Sequence, residues 1–403
     1  MKLTQLPDEF VQALPVLHAI IQAGFEAYFV GGSVRDALLG KKIHDVDIAT
    51  SAYPEEIKQI FRRTVDTGIQ HGTVTVLQQD DAYEVTTFRT ESTYQDFRRP
   101  DQVTFVRSLR EDLKRRDFTI NALALQHDGT IIDLFDGLTD LDNKLIRAVG
   151  DPNERFHEDA LRMMRAVRFE SQLAFTIEPA TALAIQTQHQ LLSKIAIERI
   201  HDEFVKLMLG QARRNGLASF IETELYSQCP GLAQAQAALK IIAELPATPL
   251  VNEQDVWLLI THQLNLSIEA TKSFLRQWKS ANELIQAVSL SLPILQQFLA
   301  HSPLTNWNYY ETGSANILAA NRIAHLYGAG EAEAVLQSAY QQLPIKRRSE
   351  LAVNGGDLLQ ALGLKPGPQL GQLLAELEKA VVAATLPNQK KALIAAAEKL
   401  SHI

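Results

Sequence analysis

The chain has 403 residues, 46% of them apolar, and 39 lysines and arginines stand against 47 aspartates and glutamates for a formal charge of −8. That is enough apolar material for real cores in two or more domains, while one cysteine excludes a disulfide scaffold and no apolar run reaches membrane length. The acidic balance excludes a whole-chain electrostatic grip on nucleic acid, so any RNA contact must come from local basic clusters.

The opening MKLTQLPDEF lacks the basic-then-apolar layout of a signal peptide, and a cytoplasmic setting is expected. Residues 4–25 read as an amphipathic helix with Phe10, Leu14, Leu17, Ile20 and Ile21 on its apolar side. Tyr28 to Val30 read as a buried strand that breaks at Gly31-Gly32. A short helical pattern (Val34, Leu38, Leu39) ends at Gly40, and a second strand carries Asp45 and Asp47. A strand entering a glycine turn and a helix start leaves backbone N–H groups unpaired, a ready site for phosphate. Glycine lets the backbone approach that phosphate, and Ser33 can cap the helix or donate its hydroxyl. Side chains two apart on a strand share a face, so Asp45 and Asp47 present both carboxylates to one point. Two carboxylates beside a triphosphate are what a pair of Mg²⁺ ions needs. Alone, a Gly-Gly turn is usually only a turn; joined with D-x-D in one strand–turn–helix–strand unit it is far more specific.

Next, SAYPEEIKQIF suggests a helix, with Ser51 as a cap and Pro54 in its first turn. GTVTVLQQDDAYEVTTFR alternates like two strands about a polar turn. Glu84 on the second of these is either a third acid near the metals or a surface glutamate on an edge strand. From Thr90 to Val106 the apolar rhythm is lost, as in a mobile loop. EDLKRRDFTINALAL follows, its Phe118, Ile120 and Leu123 suited to packing under the sheet. TIIDLFDGLTDLDNKLIRAVGD reads as a strand, a turn at Asp136-Gly137 and a further short strand. Beyond Pro152 the strand patterns stop and the period is helical. The fold class is therefore an α/β head followed by an all-α remainder. Breaks at Gly210 to Gly216 and around Leu304 to Gly313 divide that remainder, and two short helices across a Gly/Pro turn close it. His201-Asp202 has no partner histidines at ligand spacing and reads as a helix surface feature.

HEDALRMMRAVRF, residues 157–169, reads as one helix on which Asp159, Arg162 and Arg165 form a stripe. The plainer account is an i,i+4 pair of Glu158 with Arg162 on a solvated face. The other is base reading. Cytosine and adenine both carry an amine beside an accepting ring nitrogen, so a carboxylate and an arginine can satisfy either. Uracil and guanine reverse that order and leave both groups unpaired, at about 1–3 kcal/mol each.

GGSVRDALLG followed by DVDIAT resembles the signature of the tRNA CCA-adding nucleotidyltransferases and their poly(A) polymerase relatives, members of the polymerase-beta-type superfamily. RRDFTINA and EDxxR follow in the family's order, across roughly residues 28–170. The resemblance implies a polymerase-beta-like head over 1–138, a neck with a nucleotide-reading helix over 139–209, a helical body over 210–304 and a tRNA-binding tail over 305–403. It implies catalytic, metal-binding Asp45 and Asp47, with Gly32, Arg35 and Arg116 at the triphosphate. Asp159 and Arg162 become a protein template, and Arg165 and Arg168 further nucleotide contacts, although nine helical positions turn Arg168 half a revolution from Asp159. A flexible loop at 90–106 is linked in that family to the switch from C to A. The activity implied is template-independent addition and repair of the 3′-terminal CCA of tRNA from CTP and ATP, with Mg²⁺ and pyrophosphate release. The partners are the acceptor arm of tRNA, CTP and ATP, with no membrane; a homodimer is compatible and unspecified. The rival readings are a poly(A) polymerase, a CC- or A-only relative, a small-molecule nucleotidyltransferase and a non-catalytic RNA-binding relative.

Overall fold

The computed structural model describes residues 1–78, 81–91, 103–363 and 365–401. The chain folds as two compact units, Met1–Ala243 and Glu244–Ile403. The expected loop between Thr90 and Val106 lies for the most part outside the described residues.

The first unit begins with α1 (Asp8–Gln22), whose Phe10, Leu17 and Ile20 are fully buried as the periodicity requires. Its strands are β1 (Ala27–Val30), β2 (Asp47–Thr50), β3 (Thr64–Gly68), β4 (Thr73–Gln78), β5 (Asp81–Thr87), the β6–β7 hairpin (Arg89–Glu91, Val103–Phe105), β8 (Leu123–Leu125) and β9 (Ile131–Asp133). Seven of these make one sheet in the order β3-β4-β5-β2-β1-β8-β9. Only the β2–β5 pairing is parallel, so the sheet is mixed. The helices of this unit continue with α2 (Gly32–Leu38), α3 (Pro54–Ile60), α4 (Leu109–Lys114), α5 (Gly137–Asp142), α6 (Pro152–Glu158), α7 (Leu161–Leu173), α8 (Pro179–Gln188), α9 (Ile197–Met208) and α10 (Arg213–Glu222). Val30, Ala49 and Ala124 of the sheet meet Leu109 and Leu113 of α4 in one apolar cluster. Phe118, Ile120 and Leu123 are fully buried, in line with the packing expected of them.

Local details depart from the sequence reading where a tertiary partner decides. Asp45 stands in irregular chain two residues before β2, so only Asp47 of the pair is on the strand. β3 was not anticipated; its TVDTG has neither an apolar alternation nor a buried residue, and it is held as a strand by pairing with β4. The further short strand expected after Asp136-Gly137 is β10 (Leu145–Ile146), and between the turn and that strand the chain also forms α5. Asp136 takes a left-handed φ of 61°, and the Asp133 carboxylate accepts the N–H groups of Gly137 and Leu138, each at 2.9 Å. A Cβ on Gly137 would lie 2.3 Å from the Thr119 carbonyl oxygen, which is why glycine stands there. Beyond Pro152 one more short strand appears, β11 (Thr176–Ile177), parallel to β10 (Leu145–Ile146). Ser51 does not cap α3; its hydroxyl accepts the Glu26 N–H, and the Glu56 carboxylate takes the N–H of Tyr53.

The second unit is helical throughout its described residues. Trp257 and Trp278 are fully buried, their rings 4.8 Å apart. Buried Asp255 holds Arg322 through two bonds of 2.7 and 2.9 Å. The expected closing pair of helices is Gly355–Leu362 and Pro368–Val382, and Leu358, Leu377 and Val381 share one apolar cluster. Among the described residues no helix is long and apolar enough to cross a membrane.

Candidate active site

The site is built at the end of β1. Gly31 follows with φ 77°, a left-handed value that disfavours any side chain, and a Cβ there would lie 3.4 Å from both Arg116 Nη1 and Asp47 Oδ2. Gly31, rather than Gly32, is thus the position that demands glycine, although both line the cavity described below. Ser33 neither caps α2 nor points outward: its hydroxyl donates to the Val30 carbonyl at 3.0 Å. Arg35 leaves α2 toward the interior and is 8% exposed. It donates to Asn121 Oδ1 at 2.7 Å and to Asp36 Oδ1 at 2.9 Å, and lies over the Phe169 ring.

Val30 pairs with Asp47 across the β1–β2 ladder, and Asp47 pairs with Glu84 across the β2–β5 ladder. β5 lies between β4 and β2, so Glu84 is not on an edge strand. Asp45, Asp47 and Glu84 line one pocket of about 640 Å³ together with Glu9 and Asp81. Enclosure by the protein raises the Asp47 pKa, Arg116 draws it down, and Glu84 and Asp45 push it up again, leaving it at about 6. A carboxylate so placed has an unmet need for positive charge, which fits a divalent cation. Among the described residues no three His, Cys, Asp or Glu side chains converge as a self-sufficient metal cage. Asp45 and Asp47 line the same pocket and offer the one or two carboxylates by which a divalent cation that completes its shell from phosphate and water is commonly held.

Asp47 also lines a second cavity, about 440 Å³, with a very different wall: seven arginines against three aspartates. Arg116 turns Nη1 toward Gly31 and gives Nη2 to Asp112 Oδ2 at 3.2 Å. Asp117 accepts from Asn121 at 3.0 Å and from Arg165 Nε at 2.7 Å. Burial alone would raise the Asp117 pKa, but Arg165 and the Asn121 bond outweigh it and hold it well below the usual carboxylate range. Arg168 makes an ion pair with Glu203 of α9 at 2.5 Å and lies 3.8 Å over the Phe169 ring; burial pushes its pKa down to about 10, so it remains charged at neutral pH.

The single helix expected over 157–169 is two helices. Asp159 adopts φ −138° and ψ 101°, ending α6, and its Oδ1 accepts the Leu161 N–H at 3.0 Å as α7 begins. Asp159 therefore does not share a helical stripe with Arg162 and Arg165; it reaches the same cavity from the break. Its carboxylate is held by Arg199 of α9 through bonds of 2.7 and 3.3 Å. Arg162 is 7% exposed, pairs with Glu158 at 2.6 Å and donates to the Arg115 carbonyl at 2.8 Å. The expected Glu158–Arg162 pair thus exists, and it is part-buried rather than on a solvated face. Of the residues singled out from sequence, Gly32, Arg35, Arg116, Asp159, Arg162, Arg165 and Arg168 all line this cavity with Asp47, while Asp45 lies on the acidic side. Sequence reasoning missed Arg115, Asn121, Phe169 and Arg199 of the lining. Arg199 has no local signal, since an arginine in the first turn of an amphipathic helix reads as solvated. His201 and Asp202 lie on the same helix.

A mixed-sheet head with carboxylates at a glycine turn and an arginine-walled cavity beside them defines a nucleotidyltransferase, and residues 27–147 match the family described as the poly A polymerase head domain. Residues 174–236 match an RNA and SrmB-binding site of polymerase A, and 248–397 match tRNA nucleotidyltransferase domain 2. The chain is 57% identical to the CCA-adding enzyme of Latilactobacillus sakei, covering 99% of this chain and 100% of that one, and 56% identical to that of Enterococcus faecalis, covering 99% and 98%. The solved structure of the Bacillus stearothermophilus CCA-adding enzyme in complex with CTP is 39% identical and superposes with a TM-score of 0.91 over 98% of each chain. The protein belongs to the CCA-adding enzyme family.

Proposed function

We propose that this protein adds and repairs the 3′-terminal CCA of tRNA, drawing on CTP and ATP without a nucleic-acid template. The observation that carries the reading is one cavity in which Asp47, the phosphate-suited Arg35 and Arg116, and the base-suited Asp159 and Arg162 are lining neighbours. A triphosphate belongs among the arginines, because the pocket on the other side of Asp47 is walled by carboxylates that repel it. Asp45 and Asp47 would hold two Mg²⁺ ions, one of which would lower the pKa of the RNA 3′-hydroxyl while the other would clamp the triphosphate. Arg116 offers Nη1 to phosphate oxygens, and Gly31 keeps the turn free of side chain at the point of approach. The 3′-hydroxyl attacks the α-phosphate in line and pyrophosphate leaves. No covalent enzyme intermediate is needed.

Base choice falls to Asp159 and Arg162, with Arg165 and Arg168 as further nucleotide contacts. The carboxylate accepts the exocyclic amine of C or A and the guanidinium donates to the ring nitrogen. Arg199 shares the Asp159 carboxylate, which has lone pairs to spare for a base amine. The neck (139–209) carries this reader, and the body and tail (210–304 and 305–403) hold the acceptor arm of tRNA. The setting is cytoplasmic, and a homodimer is compatible with this reading.

The test is incorporation on a tRNA ending before its CCA, with kcat/KM measured for each of the four nucleotides. Wild type should add CMP and AMP and reject UMP and GMP. Asp159→Ala should raise UMP misincorporation, and Arg162→Ala should erode preference for C and A, each by tenfold or more, since each unpaired buried polar group is worth about 1–3 kcal/mol. Unchanged ratios in both variants would remove the protein template. AMP runs without CMP would favour a poly(A) polymerase instead.

A further inference from the structure

Arg115 and Arg116 are neighbours in sequence, yet both side chains return to one acceptor. Arg115 donates Nε and Nη2 to Asp112 Oδ1 at 3.0 and 2.7 Å, and Arg116 donates Nη2 to Asp112 Oδ2 at 3.2 Å. A third donor, the backbone N–H of Arg89 on β6, reaches Oδ1 at 3.4 Å. Asp112 is 1% exposed and lies outside the cavity lining. A carboxylate withdrawn this far from water is retained only against strong partners. Burial pushes the pKa of Asp112 up, but the two guanidinium groups prevail and it lies below the ordinary value.

With Nη2 tied to Asp112, Arg116 has its other terminal nitrogen beside Gly31, 3.4 Å from where a Gly31 Cβ would stand, a point equally close to Asp47 Oδ2. We infer that Asp112 is a positioning residue for nucleotidyl transfer: it fixes the Arg116 fork so that one terminal nitrogen is presented to the incoming triphosphate. The inference rests on the functional reading above. A free arginine loses much rotamer freedom when it grips a ligand, and one already held loses little, which favours binding.

Charge and position make opposite forecasts. Asp112→Asn removes a negative charge beside the phosphate site, so if only the field mattered, KM for nucleotides would fall. If Asp112 positions Arg116, KM for CTP and for ATP should both rise by about tenfold, the freedom of one or two long side chains being regained. The experiment measures kcat and KM for both nucleotides on a tRNA ending before its CCA, with folding followed by thermal melts. The same substitution is repeated in an Arg116→Ala background, where no further rise is expected. An unchanged or lowered KM, or an equal rise without Arg116, would overturn the inference. Should Asp112→Asn not fold, Arg116→Lys decides, because one ammonium cannot serve Asp112 and the phosphate together in that fork geometry; a wild-type KM there would refute the positioning role. If wild type incorporates no nucleotide, the functional reading fails, and CTP affinities of wild type and Asp112→Asn by titration calorimetry still decide the inference.

Discussion

Asp47 carries a charge that its own surroundings resist, and the cost shows in how stability depends on pH. Its folded pKa of about 6 exceeds the ordinary carboxylate value, so the folded state binds the proton more tightly than the unfolded chain does. The stability this provides is fully present below about pH 4 and is lost as pH rises through 6. Asp47→Asn, neutral throughout, should therefore melt at or above the wild-type temperature at pH 7.5 without divalent ions, the gap closing near pH 4. Neighbouring protein atoms crowd Asp47 within its pocket, yet its side chain keeps an exposed surface, so screening keeps that gap small. The same variant should abolish incorporation of CMP and AMP, as should Asp45→Ala, while tRNA binding stays near wild type. Filter binding and single-turnover incorporation check both halves. A lower melting temperature for Asp47→Asn at pH 7.5 would contradict the electrostatic account.

Between elements, the join of the sheet to α7 depends on Asp117. Its carboxylate ties the segment before the Thr119–Asn121 turn to Arg165, and Asn121 passes the connection on to Arg35. Asp117→Ala would leave Arg165 only its longer 3.9 Å pair with Glu203 and take the acceptor from Asn121, a part-buried loss of about 1–3 kcal/mol. Urea unfolding should show the midpoint fall with an unchanged slope. The break at Asp159 belongs to this scale too. Periodicity reads through it, because Ala160, Leu161, Met164 and Val167 keep helical spacing, and all four are buried. What divides the helix is the Asp159 side chain bonding to the Leu161 N–H and to Arg199, the latter a contact of forty residues' separation. Shortening Ser92 to Asp101, outside the described residues, should leave C addition largely intact and impair the final A, an expectation resting on family likeness. Equal loss of both steps would count against it.

For the molecule as a whole, the formal charge of −8 leaves only local basic clusters to grip RNA, because charge is counted over the chain but felt locally. Seven arginines converge on one cavity while acids gather on the other side of Asp47. Binding to tRNA should be strongly salt-dependent, with its KM rising by on the order of tenfold or more between about 50 and 200 mM salt. The ratios among the four nucleotides should hold over that range, since paired and enclosed groups are screened less than exposed ones. Kinetics on a shortened tRNA at three salt concentrations would test both. Short-range pattern was enough for the sequence to determine the glycine turn, the two acids, the arginine-rich run before Phe118, and an α/β beginning followed by helices. Each is a short-range pattern, although the shared face expected of the two acids did not form because Asp45 lies off the strand. Only the tertiary structure decided that Asp45 would stand off the strand, that α5 would form between the Asp136-Gly137 turn and the strand after it, and that Arg199 and Asp112 would hold the arms of the site. Asp112 meets Arg115 and Arg116 only three and four positions on, and what sequence lacks there is the burial. Arg199 and α5 turn on a partner forty residues away and on a side chain capturing a backbone N–H. Sequence period carries no record of either.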